Sequence, residues 1–200
     1  MMNKQPAGTT RDSWETIVEK ARITLETNGI ILYPTDTIWG LGGDATDPKV
    51  IRKIFKLKER AEDKPFVLLV SDLEMLVNYA GKVHPKIDRL LQFHERPLTV
   101  VYPQSEGLPS LATGENGSVA IRIVKDDFCS ELIRVFGKPI ISTSANVSDQ
   151  PFPKNFGEIS STILSGVDYI VPLRQTDKEL GEPSVIVSLS PKGELVFLRS

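Results

Sequence analysis

The sequence predicts an α/β fold: an open, twisted, mixed β-sheet with helices on its faces. Three observations support this. Short apolar runs recur along the chain, and segments with helical periodicity separate many of them. Elsewhere, strand signals follow one another directly, so strands and helices neither alternate strictly nor fall into separate parts of the chain. The chain has 200 residues, 40% of them hydrophobic and 25% charged, which is enough to bury a sizeable core without disulfides.

The first quarter of the chain predicts a helix, a strand, a loop and a second helix. Ser13 is a suitable N-cap for the first helix, and Asn28-Gly29 is a typical helix end. Residues 30–33 form a short buried strand, and the polar, glycine-rich residues 35–44 follow as a loop. Pro48 fits the first turn of the second helix. The core-facing positions of the two helices are Ile17, Val18, Ala21, Leu25, Val50, Ile51, Ile54 and Phe55.

The rest of the chain continues the mixed pattern. The predicted elements are a strand at 66–70, a helix that Asp72 caps and that runs to 79, a helix at 85–93, strands at 98–102 and 118–124, a helix at 128–136, a strand at 139–142, a helix at 156–164 and strands at 169–171, 184–189 and 194–198. No internal repeat or linker-like tract divides the chain. We therefore predict one domain over residues 1–200, with its core at about 13–200.

Composition excludes several classes of protein. Residues 1–10 are polar, and the longest apolar runs, 30–33 and 66–70, are far too short to span a bilayer. These features predict a cytoplasmic protein without a membrane partner. Cys129 is the single cysteine, so no internal disulfide forms, and its place in a helical segment indicates a structural role. The net charge of −2 gives no global attraction for nucleic acid.

Several familiar catalytic signatures are absent. The sequence contains no Walker loop, no zinc-ligand spacing and no nucleophile elbow. The glycines at 40–43 match the dinucleotide-binding fingerprint only weakly, because six residues separate them from the preceding strand. The chemistry is therefore expected to depend on positioned cations and hydroxyl groups rather than on a covalent nucleophile.

Two candidate segments lie in the first third of the chain. Thr35, Asp36 and Thr37 follow a buried strand, where polar side chains can bind a ligand. A turn whose side chains cap its own backbone explains these residues equally well. Lys58, Arg60 and Lys64 fall at a helix end and in the loop before a strand, where cations can converge on a triphosphate or a carboxylate. The basic residues just before them fit a solvated helix face.

Two more candidate segments follow later. Residues 142–146, Ser-Thr-Ser-Ala-Asn, place three hydroxyls and an amide at the end of an apolar strand, where a serine-rich turn is the alternative. Arg122 lies in an alternating strand and shares a face with Ser118, although an arginine in a strand is more often a rim residue. Residues 181–184 and 198–199 belong to the same candidate segment as Ser118 and Arg122.

Taken together, these strings resemble the YrdC-type threonylcarbamoyl-AMP synthases. The matching strings occur in family order and cover nearly the whole chain; they are residues 33–42 (YPTDTIWGLG), 58–60 (KER), 118–122 (SVAIR), 142–146 (STSAN), 182–187 (EPSVIV) and 198–199 (LR). The resemblance implies a YrdC/RibB-like fold with a concave, basic cavity. It also implies a nucleotidyltransferase that converts L-threonine, bicarbonate and ATP into threonylcarbamoyl-AMP and pyrophosphate. Mg²⁺ would accompany the ATP. A partner complex would then transfer the threonylcarbamoyl group to adenosine in tRNA, and RNA contact is a further expectation.

The resemblance also assigns roles to individual residues. Lys58 and Arg60 are the implied catalytic cations, and Thr37, Arg122 and Ser142 the implied contacts to L-threonine. The implied ATP contacts are Lys58, Arg60, Lys64, Ser118, Ser144, Asn146 and Arg199. No protein ligand to a metal is implied.

The chain departs from the family pattern at several positions. Ala61 stands where a proline is usual, and Asp149 where a glycine is usual, so the loop at Asp149 is expected to bend differently. Longer members carry asparagine in place of Lys64 and histidine in place of Leu69. Lys64 and the end of the chain at Ser200 match the short, single-domain form, and the absence of the histidine means that another group is expected to position threonine or bicarbonate. Selection of threonine over serine requires a niche for one methyl group, which we place near Thr37 with Trp39 or Leu69 as its wall.

Other functions remain open at this point. A non-catalytic module that binds double-stranded RNA or tRNA could use the same basic cavity. A paralogue with altered activity typically lacks the Lys-x-Arg and Ser-x-Asn pairs, and both are present here. A carbamoyl-transfer module of hydrogenase maturation belongs to larger chains with zinc-finger-like segments, which this sequence lacks.

Overall fold

The computed structural model describes residues 12–62, 64–178 and 181–200. The helices in this part of the chain are α1 (Trp14–Glu26), α2 (Pro48–Leu57), α3 (Leu73–Ala80), α4 (Pro85–Phe93), α5 (Asp127–Phe136) and α6 (Ser161–Gly166). The strands are β1 (Ile31–Tyr33), β2 (Gly40–Gly42), β3 (Val67–Val70), β4 (Leu98–Tyr102), β5 (Val119–Ile123), β6 (Ile140–Ser144), β7 (Tyr169–Ile170), β8 (Val185–Leu189) and β9 (Leu195–Arg199). Among the described residues, no helix has the length and apolarity needed to cross a membrane.

The strands form a mixed sheet. Their order across the sheet is β7-β1-β2-β6-β3-β5-β4-β8-β9. The pairs β1–β7, β3–β5 and β4–β8 are parallel, and the other neighbouring pairs are antiparallel. The predicted fold class, a mixed sheet with helices on its faces, is confirmed.

Polar side chains determine where the helices begin. Each cap residue accepts a hydrogen bond from a backbone N–H in the first turn, which would otherwise lack a partner. The caps are Ser13, Asp47, Asp72, His84, Asp126 and Ser160. The caps predicted at Ser13 and Asp72 are therefore confirmed.

Two apolar clusters lie on opposite faces of the sheet. Successive side chains of a strand point to opposite faces, so Leu68 and Leu69 of β3 belong to different clusters. Helices α1 and α5 bury their apolar positions in the cluster that contains Leu69. Cys129 lies in this cluster as a fully buried free thiol, and burial raises its pKa well above the ordinary value. The predicted structural role of Cys129 fits this setting.

Strand β2 was missed by the sequence analysis, which assigned residues 35–44 to a loop. Its sequence, Gly-Leu-Gly, has weak intrinsic strand preference, and pairing with β1 and β6 on either side holds it extended. Gly42 is required there, because a Cβ atom at this position would lie 2.6 Å from Cε1 of Tyr33. A tertiary close approach, which local sequence does not report, thus explains the error.

Two other predicted boundaries were wrong. Strand β6 extends to Ser144, two residues beyond the predicted end, because β2 pairs with Thr143 and Ser144. The predicted helix at 156–164 is split into a 3-10 turn (Phe156–Glu158) and α6. Ser160 causes the break, because its side chain accepts a hydrogen bond from the Ile163 N–H and so starts a new helix.

Candidate functional site

Helices α1 and α5 cover part of their face of the sheet, and the rest of that face lines a cavity. Leu69 and Ile140 pack in the apolar cluster shared with these helices. Two residues away on the same strands, Val67 and Ser142 line a cavity of about 440 Å³. The register pairs Val67 with both Ala120 and Ser142, so these side chains form adjacent parts of the cavity floor. The cavity is therefore built on the sheet itself.

Three arginines from distant parts of the chain line this cavity. Arg60 follows α2, Arg122 lies in β5, and Arg199 ends β9. Burial, together with the charge of Arg122, lowers the pKa of Arg199, as expected for cations placed close together. The hydroxyl-bearing lining residues are Thr37, Ser142, Thr143, Ser144 and Ser184. The cavity thus concentrates positive charge and hydrogen-bonding groups in a chain whose net charge is −2.

Arg122 is buried with only part of its hydrogen-bonding capacity used. It is 3% exposed, and its Nη1 donates to Oγ1 of Thr37 at 3.1 Å. Its Nη2 lies 3.2 Å from Oδ1 of Asp36, an ion pair without hydrogen-bond alignment, and its Nε has no hydrogen-bond partner among the described residues. A buried guanidinium with unused donors is suited to binding a carboxylate.

Thr37 is held in place by a chain of hydrogen bonds. Its backbone N–H donates to Oγ1 of Thr35 at 3.0 Å, and the two hydroxyls lie 2.8 Å apart. The same Thr35 hydroxyl donates to the Ile38 carbonyl at 2.8 Å. Arg174 donates from Nη1 to the Thr35 carbonyl at 3.0 Å. The loop therefore presents the Thr37 hydroxyl to Arg122 in a fixed orientation.

The end of α2 positions two of the predicted cations. The N–H of Arg60 donates to the Phe55 carbonyl at 3.0 Å, and the N–H of Glu59 donates to the Lys56 carbonyl at 3.1 Å. Glu59 adopts a positive φ of 50°. These features define a Schellman motif, which ends the helix and reverses the local chain direction. As a result, Lys58 and Arg60 line the same hollow.

The Arg60 side chain is fixed by its own loop. Its Nε donates to the Lys64 carbonyl at 2.9 Å, and its Nη2 donates to the Pro65 carbonyl at 3.3 Å. The guanidinium lies over the ring of Phe66, 5.1 Å from the centroid. This arrangement keeps the cation in place at the cavity wall.

A second hollow of about 230 Å³ adjoins the cavity and shares Arg60 and Ser144 with it. Lys58, Lys64 and Asn146 also line it, so the structure brings these predicted residues together. Oδ1 of Asn146 has no hydrogen-bond partner among the described residues. The two hollows together can accommodate an elongated anionic ligand.

Lys58 is 1% exposed, and its ammonium group donates to the carbonyl oxygens of Ser144 and Asn146. Burial, assisted by the charge of Arg60, lowers the pKa of Lys58 to about 7. Lys58 thus links the end of α2 to the loop after β6, and its charge is sensitive to pH and to nearby anions.

The remaining predicted residues differ in their placement. Arg199 reaches the cavity and donates from Nε to the Ser184 carbonyl at 2.9 Å. The Oγ atom of Ser184 in turn lies 2.8 Å from Oγ1 of Thr99. Ser118 precedes β5 beside Gly114 and does not line either hollow. Ser118 lies two residues before Ala120, which lines the cavity floor, and the expected ATP contact at Ser118 stays a prediction.

The Sua5/YciO/YrdC family model, described as "Telomere recombination", matches residues 24–200. The chain belongs to this family. The threonylcarbamoyl-AMP synthase of Pyrococcus abyssi is 29% identical over 162 residues, which cover 80% of this chain and 47% of that protein. The synthase of Vibrio campbellii is 32% identical over 136 residues, 66% of this chain and 74% of that protein. The structure of P. abyssi Sua5 complexed with L-threonine matches with a TM-score of 0.80 and 27% identity, covering 95% of this chain and 55% of that one.

The chain spans about half the length of the Pyrococcus relatives and most of the length of the Vibrio relative. The family membership and fold suggested by the sequence motifs are thus confirmed.

The expected wall of a threonine methyl niche is wrong at Trp39, whereas at Leu69, which pairs with Arg122 across β3 and β5, it stays a prediction. Trp39 is fully buried and packs on Phe156 at 5.1 Å between ring centroids, in the cluster on the other face of the sheet. Leu69 is also fully buried, beneath α1 and α5.

Asp149, at the usual glycine position of the family, has φ of 63°. This is the left-handed conformation that glycine adopts most readily and that aspartate tolerates better than most residues. Asp149 therefore occupies a backbone conformation that a glycine could also adopt.

Sequence reasoning missed the apolar part of the cavity wall. Phe66, Phe152 and Ile186 line the cavity beside the arginines. Phe66 immediately precedes β3, and Ile186 lies within β8. From sequence alone, an apolar residue at either place is expected only to be buried in the core. Phe152 lies in a loop, and no local pattern marks it as a wall residue.

The described residues contain no group of three or more His, Cys, Asp or Glu side chains that could hold a metal ion.

Proposed function

We propose that this chain is an L-threonylcarbamoyladenylate synthase, a nucleotidyltransferase that converts L-threonine, bicarbonate and ATP into threonylcarbamoyl-AMP and pyrophosphate. The observation that carries the proposal is the convergence of Arg60, Arg122 and Arg199 on one cavity that adjoins the Lys58 hollow. The names of the relatives and the threonine complex of P. abyssi Sua5 support the same reaction.

Two bond-forming steps account for the products. The threonine ammonium group first loses a proton, the free amine attacks the carbon of bicarbonate, and loss of water leaves N-carboxythreonine. A carboxylate oxygen of this carbamate then attacks the α-phosphorus of ATP, and the bond to the β-phosphate oxygen breaks to release pyrophosphate. Both partners of the second step are anions, so catalysis requires cations that reduce their repulsion and stabilise the charge on the transferred phosphoryl group.

The geometry suggests a division of labour. Arg122 binds the threonine carboxylate through its unused donors, with Thr37 and Ser142 beside it. Arg60 lines both hollows, so it neutralises charge at the junction between the carbamate and the phosphates. Lys58, Lys64, Ser144 and Asn146 bind the triphosphate side.

Mg²⁺ is proposed as the companion of ATP, held by phosphate oxygens, and it would reduce the negative charge on the triphosphate. We further propose that the reaction takes place in the cytoplasm and that a separate tRNA-modification complex consumes the threonylcarbamoyl-AMP. The instability expected of a mixed acyl-phosphate anhydride makes prompt use by a partner necessary.

A pyrophosphate-release assay tests the proposed function. With ATP, Mg²⁺ and bicarbonate, release should depend on added threonine, and mass spectrometry should detect threonylcarbamoyl-AMP. Arg60→Ala should lower the rate by about a hundredfold or more, which corresponds to about 2.7 kcal/mol of transition-state stabilisation.

Arg52→Ala is the matched control, because Arg52 is an exposed residue of α2 that does not line either hollow. It should retain wild-type activity. Threonine-independent release, or no release combined with salt-sensitive binding of double-stranded RNA, would refute the synthase proposal and favour an RNA-binding module.

A further inference from the structure

Two hydroxyl groups beside the cavity, those of Thr35 and Thr37, belong to one chain of hydrogen bonds. Both residues are buried, at 1% and 3% exposure, and Thr37 lines the cavity whereas Thr35 does not. The Thr35 hydroxyl oxygen lies 2.8 Å from the Ile38 carbonyl oxygen, 3.0 Å from the Thr37 backbone nitrogen and 2.8 Å from the Thr37 hydroxyl oxygen. A hydroxyl group has one hydrogen and two lone pairs, so these three contacts use the whole hydrogen-bonding capacity of Thr35.

The direction of each hydrogen bond follows from this count. The Ile38 carbonyl can only accept, so the single hydrogen of the Thr35 hydroxyl is directed to it. The contact between the two hydroxyls then needs the hydrogen of Thr37, which points toward Thr35 and not into the cavity. The reverse order would leave two acceptor oxygens, those of Thr35 and Ile38, 2.8 Å apart with no hydrogen between them.

The Thr37 hydroxyl oxygen is therefore left as an acceptor. A guanidinium group can only donate, so Nη1 of Arg122, 3.1 Å away, occupies one of the two lone pairs of this oxygen. The other lone pair remains for a ligand in the cavity. Because Arg122 is so close, a carboxylate bound to its guanidinium would lie beside this lone pair.

The loop that carries both hydroxyls is held by the segment between β7 and β8. Arg174 donates from Nη1 to the Thr35 carbonyl at 3.0 Å. Gly181 packs so closely that a Cβ atom at this position would lie 3.0 Å from the Thr37 carbonyl oxygen. These contacts fix the backbone and the hydroxyl chain fixes the side chains, so the remaining lone pair of Thr37 keeps one orientation.

We propose that Thr35 is a positioning residue, which fixes Thr37 as a hydrogen-bond acceptor toward the cavity. Thr37 then favours a ligand with a hydrogen-bond donor next to the carboxylate that Arg122 binds. The identity of this ligand rests on the proposed function. In L-threonine the donor is the ammonium group or the hydroxyl group, both of which lie close to the carboxylate.

Substitution of Thr35 tests its role. Valine has the shape of threonine without the hydroxyl, so in Thr35→Val the Thr37 hydrogen loses its acceptor and turns toward the cavity, where it opposes the donor of the ligand. Calorimetry should show that Thr35→Val binds L-threonine about tenfold more weakly than the wild type. Thr35→Ser restores the hydroxyl and should recover wild-type affinity to within about twofold. An equal loss of affinity in the two variants would overturn the proposal.

Two ligand analogues identify the donor, and their affinities can be measured in competition with L-threonine. L-2-aminobutyrate keeps the ammonium group and lacks the hydroxyl group, whereas (R)-3-hydroxybutyrate keeps the hydroxyl group and lacks the ammonium group. Thr35→Val should weaken the binding of only the analogue that keeps the donor facing Thr37. Arg174→Ala is the matched control, because it loosens the same loop without removing a hydroxyl, and it should weaken all three ligands to a similar degree. A similar loss for all three ligands in Thr35→Val would contradict the proposal.

Neutron diffraction tests the hydroxyl order without any ligand. In crystals of the deuterated protein, the hydroxyl deuterium of Thr35 should lie toward the Ile38 carbonyl and that of Thr37 toward Thr35. A Thr35 deuterium directed at Thr37 would overturn the proposal even in an active synthase. The expected deuterium positions in a protein that does not bind L-threonine would instead refute the proposed function.

Discussion

At the scale of single residues, Lys58 shows how burial changes what a side chain can do. Lys58 lies at the end of α2, and its ammonium group donates hydrogen bonds to the carbonyl oxygens of Ser144 and Asn146. Burial and the charge of Arg60 lower its pKa to about 7. An anion bound in the adjoining hollow would favour the charged form and therefore raise this pKa.

Lys58 should therefore take up a proton when a nucleotide binds. With a pKa of about 7, Lys58 should be partly neutral at pH 8 in the free protein, and bound ATP should favour its charged form, so complex formation at pH 8 should take up a fraction of a proton. Calorimetry in two buffers of different ionisation enthalpy measures this quantity directly. Lys58→Arg is the control, because arginine is charged in both states and should abolish the uptake. Equal proton uptake by both proteins would assign the effect to another group.

At the scale of elements, the two loops that line the Lys58 hollow share an unusual backbone feature. Glu59 and Asp149 both line this hollow and adopt φ of 50° and 63°, in the left-handed region that favours glycine. The Schellman motif after α2 imposes this conformation on Glu59. Each loop therefore stores some strain where the cations are presented.

Glycine at these positions should stabilise the fold. We expect Glu59→Gly to raise the free energy of unfolding by about 0.5–1 kcal/mol, because relief of left-handed strain exceeds the added flexibility of the unfolded chain. Asp149→Gly should stabilise less, since aspartate tolerates this region better. Urea denaturation measures both changes. Glu115→Gly, at a position without positive φ, should instead destabilise, and stabilisation by that control would point to a different cause.

At the scale of the whole molecule, the site depends on the order of the strands in the sheet. Arg122 comes from a central strand and Arg199 from the last one, while Arg60 lies on a loop more than sixty residues before Arg122 in the chain. The two hollows meet at Arg60 and Ser144. Substitutions on the cavity floor, at the junction of the two hollows and in the smaller hollow should therefore change the binding of threonine and of ATP to different extents.

Kinetics should reveal this arrangement. Arg122→Lys keeps the charge but loses the planar donor group, so it should raise the KM for threonine and leave the KM for ATP nearly unchanged. Arg60→Lys should raise both KM values and lower kcat, because Arg60 lines both hollows. Thermal unfolding of both variants checks that the fold persists. A larger effect of Arg122→Lys on ATP than on threonine would reverse the proposed orientation of the substrates.

Much of the fold could be predicted because its signals are local. The cap at Asp72, the proline at the start of α4 and the apolar run of β4 each act through neighbours in sequence. Strand β2 could not be found in this way, since pairing partners on both sides hold its glycines extended. Trp39 shows the same limit, because only the alternation of faces in the folded sheet decides that it lies opposite the cavity.

The sequence by itself determined the fold class, most of the elements and the identity of the polar residues that gather in the site. It could do so because capping, helical periodicity and family motifs are contained in short stretches of chain. Only the tertiary structure decided which face of the sheet stays open, that Trp39 lies opposite the cavity, and that Arg60 joins the two hollows. These outcomes depend on strand order and register, which arise from contacts between residues far apart in the chain.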